Sequence, residues 1–561
     1  MVDYTDNDFN IKELGSFYSS ENTIFRVFAP ETKELFLILN NQIIPMRKSG
    51  YCFKAIVQGN LEKAKYYYEN DLGITFKDPF AYYSDEYCSY VLDKEKFIND
   101  RVNLDELKDI VIYETNVRDF SCDKSYKGKY ARKFLAFNEE NLSLGNNMPI
   151  GIDYIKELGI SHIQLMPIFA FDKDNNEYNW GYNPIAYNYV NKDYVFDDDN
   201  PYAYINELRN VVNNIHSKGI RVTLDVVFNH VYNHDNFDLD KMLSGRAFRI
   251  MDDGKFANGS LCGNELDSNN VFVREYLLEM SNRYLQLFDI DGLRFDLMGI
   301  LDYETVNLIS AELKERKKDF IVYGEGWNMG DKLDESLRAS IKNADKLKDV
   351  YMFNDAYRDT ITNYVFGNDK ITENVKRLIN GTDNYLDYNK SINYIECHDG
   401  YTFFDKLMVY KGNDDLSVRI SRAKLGLALV MTSKGIPFIH MGQEFLRTKQ
   451  LVENSYNSSE AINLIDWNRR SEYASVVKYF KDLVELRKEH DFNSDNSSIS
   501  EYYECLIYKV DDLMIIINPC MWDHTYQDEN EYEVIFDLNG KNCYTSNILS
   551  IPSYSILVCK R

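Results

Sequence analysis

Hydrophobic and polar positions follow two different patterns along this chain of 561 residues. Within residues 1–92, apolar and polar side chains alternate between turn signals, as they do in strands that bury one face. We predict strands at 24–28, 35–39 and 64–68, and a β-sandwich built from them. Residues 93–107 are charged and helix-like, as a connecting segment would be.

From about residue 109, short apolar runs alternate with amphipathic stretches, which is typical of parallel strands joined by helices. Helices are predicted at 204–217, 271–288 and 303–316. Eight strand–helix units close into a (β/α)8 TIM barrel, and this region exceeds the roughly 250 residues that such a barrel needs. The strand candidates are 110–114, 162–166, 221–227, 290–295, 321–325, 350–353, 392–396 and 436–440.

The end of the chain returns to a strand pattern after a helix predicted at 474–490. The predicted terminal strands are 505–510, 513–517, 532–536 and 555–559. The fold class is therefore α/β: a TIM barrel with an N-terminal β-sandwich and a small C-terminal all-β domain. The predicted domains are a sandwich at 1–92, a barrel with loop insertions at 93–490, and a terminal β-sandwich at 491–561.

Four barrel segments end in charged residues, as buried strands do when they enter a polar site. They are DVVFNH (225–230), GLRFD (292–296), YGEGW (323–327) and ECHD (396–399). All strands of such a barrel direct their C-terminal ends to the same face, so these ends should converge. The residues expected to meet there are Asp296, Glu325, Asp399, Arg294, His230 and His398. Carboxylates flanked by groups that bind sugar hydroxyls are typical of glycoside hydrolysis.

The three carboxylates suit three different roles. Asp296 is predicted as the nucleophile, because Arg294 faces the same side of the strand and a guanidinium keeps a neighbouring carboxylate ionised. Alone, an Arg-x-Asp pair is more often a structural ion pair. Glu325 stands between glycines beside Trp327, and an enclosed carboxyl has the raised pKa that a general acid needs. Asp399 would hold sugar hydroxyls more strongly as charge develops.

The histidines divide into two groups. His230 and His398 are expected to donate hydrogen bonds to sugar hydroxyls, because they belong to the strand-end segments. The other histidines are assigned no role, because most histidines in proteins have none. They are His162, His216, His234, His440, His490 and His524.

No cofactor is required by this chemistry. The glycine-rich GEGWNMG (324–330) has neither the G-x-G-x-x-G spacing nor a phosphate-binding lysine. DKDNNE (172–177) resembles the start of a calcium loop but lacks Gly at its sixth position and Glu at its twelfth. The sequence leaves open whether scattered loop carboxylates hold a calcium ion.

Charge and cysteine content restrict the partners. Acidic residues number 89 against 64 basic ones, and the net charge of −25 argues against nucleic acid or an anionic membrane. The nine cysteines are scattered without a C-x-x-C pair, unlike a disulfide framework. No signal peptide and no membrane-spanning apolar stretch is visible, so we expect a cytoplasmic protein. The sequence does not specify an oligomeric state.

The four segments resemble the conserved regions of the α-amylase family, glycoside hydrolase family 13. YNWGYNP (178–184), GEGW (324–327) and GIPFIHMGQEFLRTK (435–449) are similar to the type I pullulanases and limit dextrinases. FRVFAP (25–30) and DPFA (78–81) resemble the sandwich of carbohydrate-binding module family 48. The resemblance covers nearly the whole chain.

This resemblance implies a retaining α-1,6-glucosidase that debranches pullulan, glycogen or limit dextrins, with an α-glucan as its partner. It implies that Asp296 is the nucleophile, Glu325 the acid/base and Asp399 the stabiliser of the transition state. Other residues are implied to bind or border the sugar beside the cleaved bond. Tyr182 is implied to stack on that sugar, and His230, Arg294 and His398 to bind it, with Asp225 supporting the site. Trp180 and Trp327 are implied at neighbouring subsites, and Asn229 and Asn354 at the border of the site.

Two departures leave fine specificity open: Gly400 follows the His-Asp pair where many relatives have a polar residue, and Asn116 stands where a His is frequent. The alternatives are an isoamylase-like or α-1,4-acting relative, a transglycosylase, and a catalytically inactive glucan-binding protein. YNWGYNP with GEGW argues against the first. Retention of all three carboxylates argues against the last, because binding alone does not need them.

Overall fold

The computed structural model describes residues 4–368, 372–382 and 384–560. Eight parallel strands in its central part close into a barrel, in which the last strand pairs with the first through Phe438 and Ile112. All eight predicted strands are confirmed, although β7 ends at Asn393 and leaves Glu396 in the loop beyond it. The barrel strands are β1 (Ile112–Thr115), β2 (His162–Leu165), β3 (Arg221–Val226), β4 (Gly292–Phe295), β5 (Ile321–Gly324), β6 (Val350–Phe353), β7 (Ser391–Asn393) and β8 (Ile436–His440).

Helices surround the barrel and pack their apolar faces on it. The predicted helices are confirmed, and side-chain caps fix where two of them begin: Asn270 accepts from the backbone of Phe272, and Asp302 accepts from Thr305. Helices of six or more residues are Gly151–Leu158, Ala203–Ser217, Val271–Phe288, Tyr303–Arg316, Asp355–Val365, Glu373–Ile379, Phe403–Tyr410, Leu416–Thr432, Trp467–Glu472 and Ala474–Glu489. Asp238–Met242 and Glu460–Asn463 are shorter.

The N-terminal region is a sandwich of two antiparallel sheets, and the strands predicted there are confirmed. Phe28 stacks on Phe272 of the barrel helix Val271–Phe288, with ring centroids 4.7 Å apart, so the sandwich shares an apolar core with the barrel. One sheet contains Gly15–Tyr18, Asn22–Phe28, Cys52–Gln58 and Arg47–Ser49. The other contains Gln42–Pro45, Leu35–Leu39, Lys65–Asn70, Thr75–Phe76 and Ser89–Tyr90.

The helix-like prediction for residues 93–107 was wrong. One 3-10 turn, Lys94–Lys96, is formed there, and residues 97–111 are extended or irregular. The reason is that side chains of the barrel satisfy this backbone in place of a helix. Asn206 accepts from the N–H of Ile98 and donates to the carbonyl of Lys96, at 2.9 and 3.1 Å. Arg221 donates to the carbonyl of Asp105 at 2.7 Å.

The C-terminal region forms one six-stranded antiparallel sheet, and the strands predicted there are confirmed. Alternate residues of Cys505–Val510 bury apolar side chains on opposite faces: Leu506 belongs to the main core and Ile507 to a separate cluster. In sheet order the strands are Ser497–Tyr502, Cys505–Val510, Leu513–Asn518, Ser555–Lys560, His524–Asp537 and Gly540–Ile551. Among the described residues no helix is long and apolar enough to cross a bilayer.

Candidate active site

The guanidinium of Arg294, near the end of β4, lies at the centre of the site. Its Nη1 is 2.9 Å from both carboxylate oxygens of Asp225 and 3.2 Å from Oδ1 of Asp296. Its Nη2 contacts Oε1 of Glu325. Arg294 and Asp296 therefore face the same way, as the two-residue period of a strand predicts. Burial raises the pKa of Asp225 to about 6 against the opposing effect of Arg294.

Asp296 is held on its other side by Asn229. The Asn229 amide donates at 2.8 Å to Oδ2 of Asp296 and also to its main-chain carbonyl. This orientation leaves Oδ1 of Asn229 facing Nδ1 of His230, so we assign the proton of His230 to Nδ1. Burial lowers the pKa of His230, and its Nε2 has no partner among the described residues. His230 therefore offers an acceptor to a sugar hydroxyl, where the sequence had suggested a donor.

Glu325 follows β5 directly and is 6% exposed. Burial raises its pKa to about 8, and the charges of Asp296 and Asp399 add to this while Arg294 opposes it. Its Oε2 accepts from the N–H of Leu297 at 3.0 Å. Leu297 has φ of +40°, an unfavourable conformation for a branched residue that is found at functional sites. The predicted enclosure of Glu325 is confirmed.

His398 precedes Asp399, the third carboxylate, in the chain. Its backbone N–H and Nδ1 donate to the two oxygens of Glu114 on β1, at 2.9 and 2.7 Å. Burial disfavours the charged ring, but Asp399 and Glu114 outweigh burial and raise the pKa of His398 to about 9. Nε2 lies 3.5 Å from Oδ2 of Asp399, which is half exposed. The protonated ring has Nε2–H available to donate, and its predicted hydrogen bond to a sugar hydroxyl stays a prediction.

Two aromatic rings from the loop after β2 enclose His398. The ring of Tyr182 stacks on the imidazole at 5.0 Å, and the ring of Trp180 meets it edge-on at 5.0 Å. The hydroxyl of Tyr182 donates to Oδ2 of Asp225 at 2.7 Å, so this ring spans the mouth between β3 and β7. Tyr182 is half-buried, and a partly exposed aromatic face suits stacking on a sugar ring.

Lys449, in the loop after β8, fixes the backbone on both sides of Asp399. Its Nζ contacts the carbonyl of His398 and lies 3.3 Å from the carbonyl of Gly400. The same ammonium lies 4.9 Å from the ring centroid of Trp180. Lys449 is 1% exposed, and burial lowers its pKa to about 8. The half-exposed carboxylate of Asp399 is thus held in place through the backbone of the residues on either side of it.

Lys449→Met is expected to lower kcat by about 10- to 100-fold, because misplacing a reacting group by about 1 Å has an effect of that size. The thioether side chain keeps the volume and removes the two bonds to the backbone. Steady-state hydrolysis of an α-glucan measures the effect, and exposed Lys318→Met is the control. Unchanged kcat in Lys449→Met would show that Asp399 does not depend on this lysine.

Among the described residues, two predicted site residues, Asn354 and Trp327, contact neither the three predicted catalytic carboxylates nor the other predicted site residues. The side chain of Asn354 caps the helix Asp355–Val365 through the N–H of Tyr357 and donates to Ser391 at 3.0 Å. Its polar atoms thus serve the scaffold. Trp327 is half-buried, and its indole N–H is buried without a partner among the described residues. Their roles towards the sugar stay predictions.

Sequence reasoning missed Glu114 and Lys449. Glu114 stands at the end of the apolar run of β1, so the strand-end signal used for the other carboxylates was present there too. Lys449 has no such signal, because it follows β8 by several residues. His440, which was assigned no role, ends β8. Its Nδ1 donates to Glu396 and its Nε2 accepts from Arg447, both at 2.8 Å.

The residues best placed to hold a metal ion lie outside this site. Within the described ranges, one group of three donors lies close enough together to hold a metal ion: Glu504, Cys520 and His524, in the C-terminal sheet. A sulfur and a nitrogen donor there do not match the oxygen ligands that calcium prefers.

The chain matches the family of the α-amylase catalytic domain over residues 149–255 and 259–472. It is 33% identical to the pullulanase of Bacillus subtilis (strain 168) over 542 residues, which covers 89% of this chain and 74% of that protein. It spans only 35% of pullulanase A of Streptococcus pneumoniae serotype 4 (strain ATCC BAA-334 / TIGR4), at 28% identity over 69% of this chain.

Among solved structures, the pullulanase of Anoxybacillus sp. LM18-11 complexed with maltotetraose superimposes with a TM-score of 0.93 at 29% identity. The match covers 99% of this chain and 88% of that one. The type I pullulanase of Bacillus subtilis str. 168 complexed with maltose gives the same TM-score at 29% identity, covering 99% and 86%. The sequence match, the superposition and the closed barrel agree, and the chain belongs to the α-amylase family, glycoside hydrolase family 13, among its type I pullulanases.

Proposed function

We propose that this enzyme hydrolyses the α-1,6 branch linkages of pullulan, glycogen or limit dextrins and retains the anomeric configuration. The observation that carries the proposal is that Asp296 and Glu325 contact the same guanidinium. Two carboxyl groups that share one Arg294 lie close together, which favours the short separation of roughly 5 Å used by retaining enzymes. Relatives solved with maltotetraose and maltose support an α-glucan as the partner.

In the first step, Glu325 donates its proton to the interglycosidic oxygen while a carboxylate oxygen of Asp296 attacks the anomeric carbon. The bond to the leaving sugar breaks, and a covalent glycosyl ester forms on Asp296. Arg294 stays hydrogen-bonded to Asp225 during this step, so the guanidinium is not displaced when the charge on Asp296 is lost.

In the second step, the ionised Glu325 takes a proton from water, and the water oxygen attacks the anomeric carbon. The ester bond breaks, Asp296 leaves as a carboxylate, and two inversions give net retention. Positive charge develops on the sugar ring in both steps, and the half-exposed carboxylate of Asp399 stabilises it. His398, held by Glu114, donates to the same sugar.

Activity is expected to fall as the pH rises above about 8. The pKa of Glu325 is raised to about 8, so the carboxyl is protonated and competent as an acid below that pH and loses the proton above it. The profile of kcat/KM between pH 5 and 10 measures this limb in the free enzyme. A profile that stays flat to pH 9.5 would contradict the assignment of Glu325 as the acid.

The bond specificity is tested by incubating the purified protein with pullulan and separating the products by chromatography. Maltotriose as the sole product means α-1,6 cleavage. Panose or isopanose would mean α-1,4 cleavage and would overturn the proposal. No product from pullulan with release of linear chains from glycogen would favour an isoamylase-like specificity. Similarity to Arabidopsis thaliana isoamylase 1 is weaker, at 25% identity over 68% of this chain.

We further propose that the protein works in a reducing cytoplasm, because its nine cysteines are free and Cys397 stands beside His398.

We also propose that the reaction needs no metal or organic cofactor, because protein carboxyls supply both the acid and the nucleophile. Full activity after exhaustive dialysis against EDTA tests the cofactor proposal, and loss that calcium restores would refute it.

A further inference from the structure

A cavity of about 220 Å³ lies between the N-terminal sandwich and the outer helices of the barrel. Its walls come from the sandwich and from the helices Val271–Phe288 and Tyr303–Arg316, and none of them belongs to the active site. At about 30 Å³ per water molecule, it has room for about seven waters. That volume suits a small molecule.

The charge of this cavity is opposite to that of the whole chain. Its lining includes Lys12, Lys94, Arg283 and Arg316 but one carboxylate, Glu279, although the chain carries a net charge of −25. Glu279 accepts from Nε of Arg283 at 2.8 Å, and Arg316 donates to Glu312 at 2.6 Å, so the charges of both arginines are already engaged. The exposed Lys12 and Lys94 form no ion pair among the described residues, although Lys12 acts on Glu275 by favouring the ionised form of that carboxyl. A phosphate group is the kind of anion that two such ammonium groups bind.

Neutral groups of the lining fit a hydroxylated ring. Asn282 is 7% exposed, and its Oδ1 has no hydrogen-bond partner among the described residues. A buried amide oxygen normally has a partner, and a ligand hydroxyl would supply one. The ammonium of Lys94 lies 5.2 and 5.1 Å from the ring centroids of Phe17 and Tyr82, so aromatic faces stand beside the cations.

We propose that this cavity binds a sugar monophosphate, with the phosphate on Lys12 and Lys94 and a sugar hydroxyl donating to Asn282. The site joins the sandwich to the barrel, because Lys12 and Lys94 precede the barrel in the chain and Asn282 lies on a barrel helix. The proposal concerns binding and is independent of which glucosidic bond the active site cleaves.

The test is isothermal titration calorimetry of the full chain at low ionic strength with glucose 1-phosphate. One site per chain is expected, with affinity that falls as salt is added because exposed charges are screened. Inorganic phosphate should bind at least tenfold more weakly, and glucose should give no heat. Equal binding of inorganic phosphate would overturn the sugar half of the proposal, and no binding of either would overturn all of it.

Paired lysine variants locate the site. Lys12→Ala with Lys94→Ala should weaken glucose 1-phosphate binding at least tenfold. Lys33→Ala with Lys54→Ala removes the same charge from exposed lysines of the sandwich outside the cavity and should leave binding unchanged. An unaltered melting temperature shows that both variants are folded. An equal loss of binding in both double variants would mean that glucose 1-phosphate binds elsewhere. Displacement of glucose 1-phosphate by maltotriose would mean the same.

Discussion

Asp296→Asn is expected to lower kcat on pullulan by on the order of 10⁴-fold or more, because no other residue can form the covalent intermediate. The substitution keeps the shape of the side chain and an oxygen that can accept from Asn229, so the fold and the substrate site should survive. Binding of maltotriose, measured by calorimetry, should change less than tenfold. The contrast between lost turnover and retained binding identifies a nucleophile.

A second variant separates a nucleophile from a residue that only supports the site. Asp296→Gly opens space on the attacking side, where added azide can reach the anomeric carbon and give a glycosyl azide of inverted configuration. Exposed Asp235→Asn is the matched control and should retain full turnover. Wild-type turnover in Asp296→Asn would refute the mechanism, and the absence of any azide product would remove the support for direct attack.

Glu325→Gln is expected to lower kcat on pullulan by about 10²- to 10⁴-fold, the usual contribution of a general acid or base. Formation of the intermediate should recover with α-maltotriosyl fluoride, because fluoride leaves without being protonated. The amide cannot activate water, so the glycosyl enzyme should accumulate and be visible by mass spectrometry of the intact protein.

The pH dependence of the wild-type enzyme provides a control for the role of Glu325 as the acid. Wild-type release of fluoride should lack the fall above about pH 8 that is expected with pullulan, since that step no longer needs the proton. Lys449 also has a pKa lowered to about 8 by burial, and a limb caused by Lys449 would persist with the fluoride. Full activity of Glu325→Gln on pullulan would refute its assignment.

Strand ends were the part of the site that the sequence could predict. An apolar run followed by charge marks the mouth of a parallel barrel, and the period of two places Arg294 and Asp296 on the same side. The contacts that orient these groups could not be predicted. Glu114 bonds His398 across 284 positions, and no pattern in the sequence relates them.

The structure differs from the sequence predictions at two further residues, His230 and Asn354, and each difference has a local cause. The proton of His230 is positioned by Asn229, whose amide is itself oriented by Asp296, so its donor or acceptor role depends on a chain of contacts. Asn354 precedes a helix, where an Asn usually caps the first turn. The sequence thus indicated a helix cap at Asn354, whereas the family resemblance indicated a residue at the border of the site. The irregular course of residues 97–111 depends on side chains more than 100 positions away.

The active site takes Glu114 from the first barrel strand and Lys449 from the loop beyond the last. During synthesis, the three carboxylates proposed as catalytic, Asp296, Glu325 and Asp399, leave the ribosome before Lys449 does. A growing chain therefore holds the reacting groups while the backbone around Asp399 is still unsupported. We therefore expect Asp399 to be correctly placed only after synthesis has passed Lys449, and products that end before this lysine to be poor catalysts.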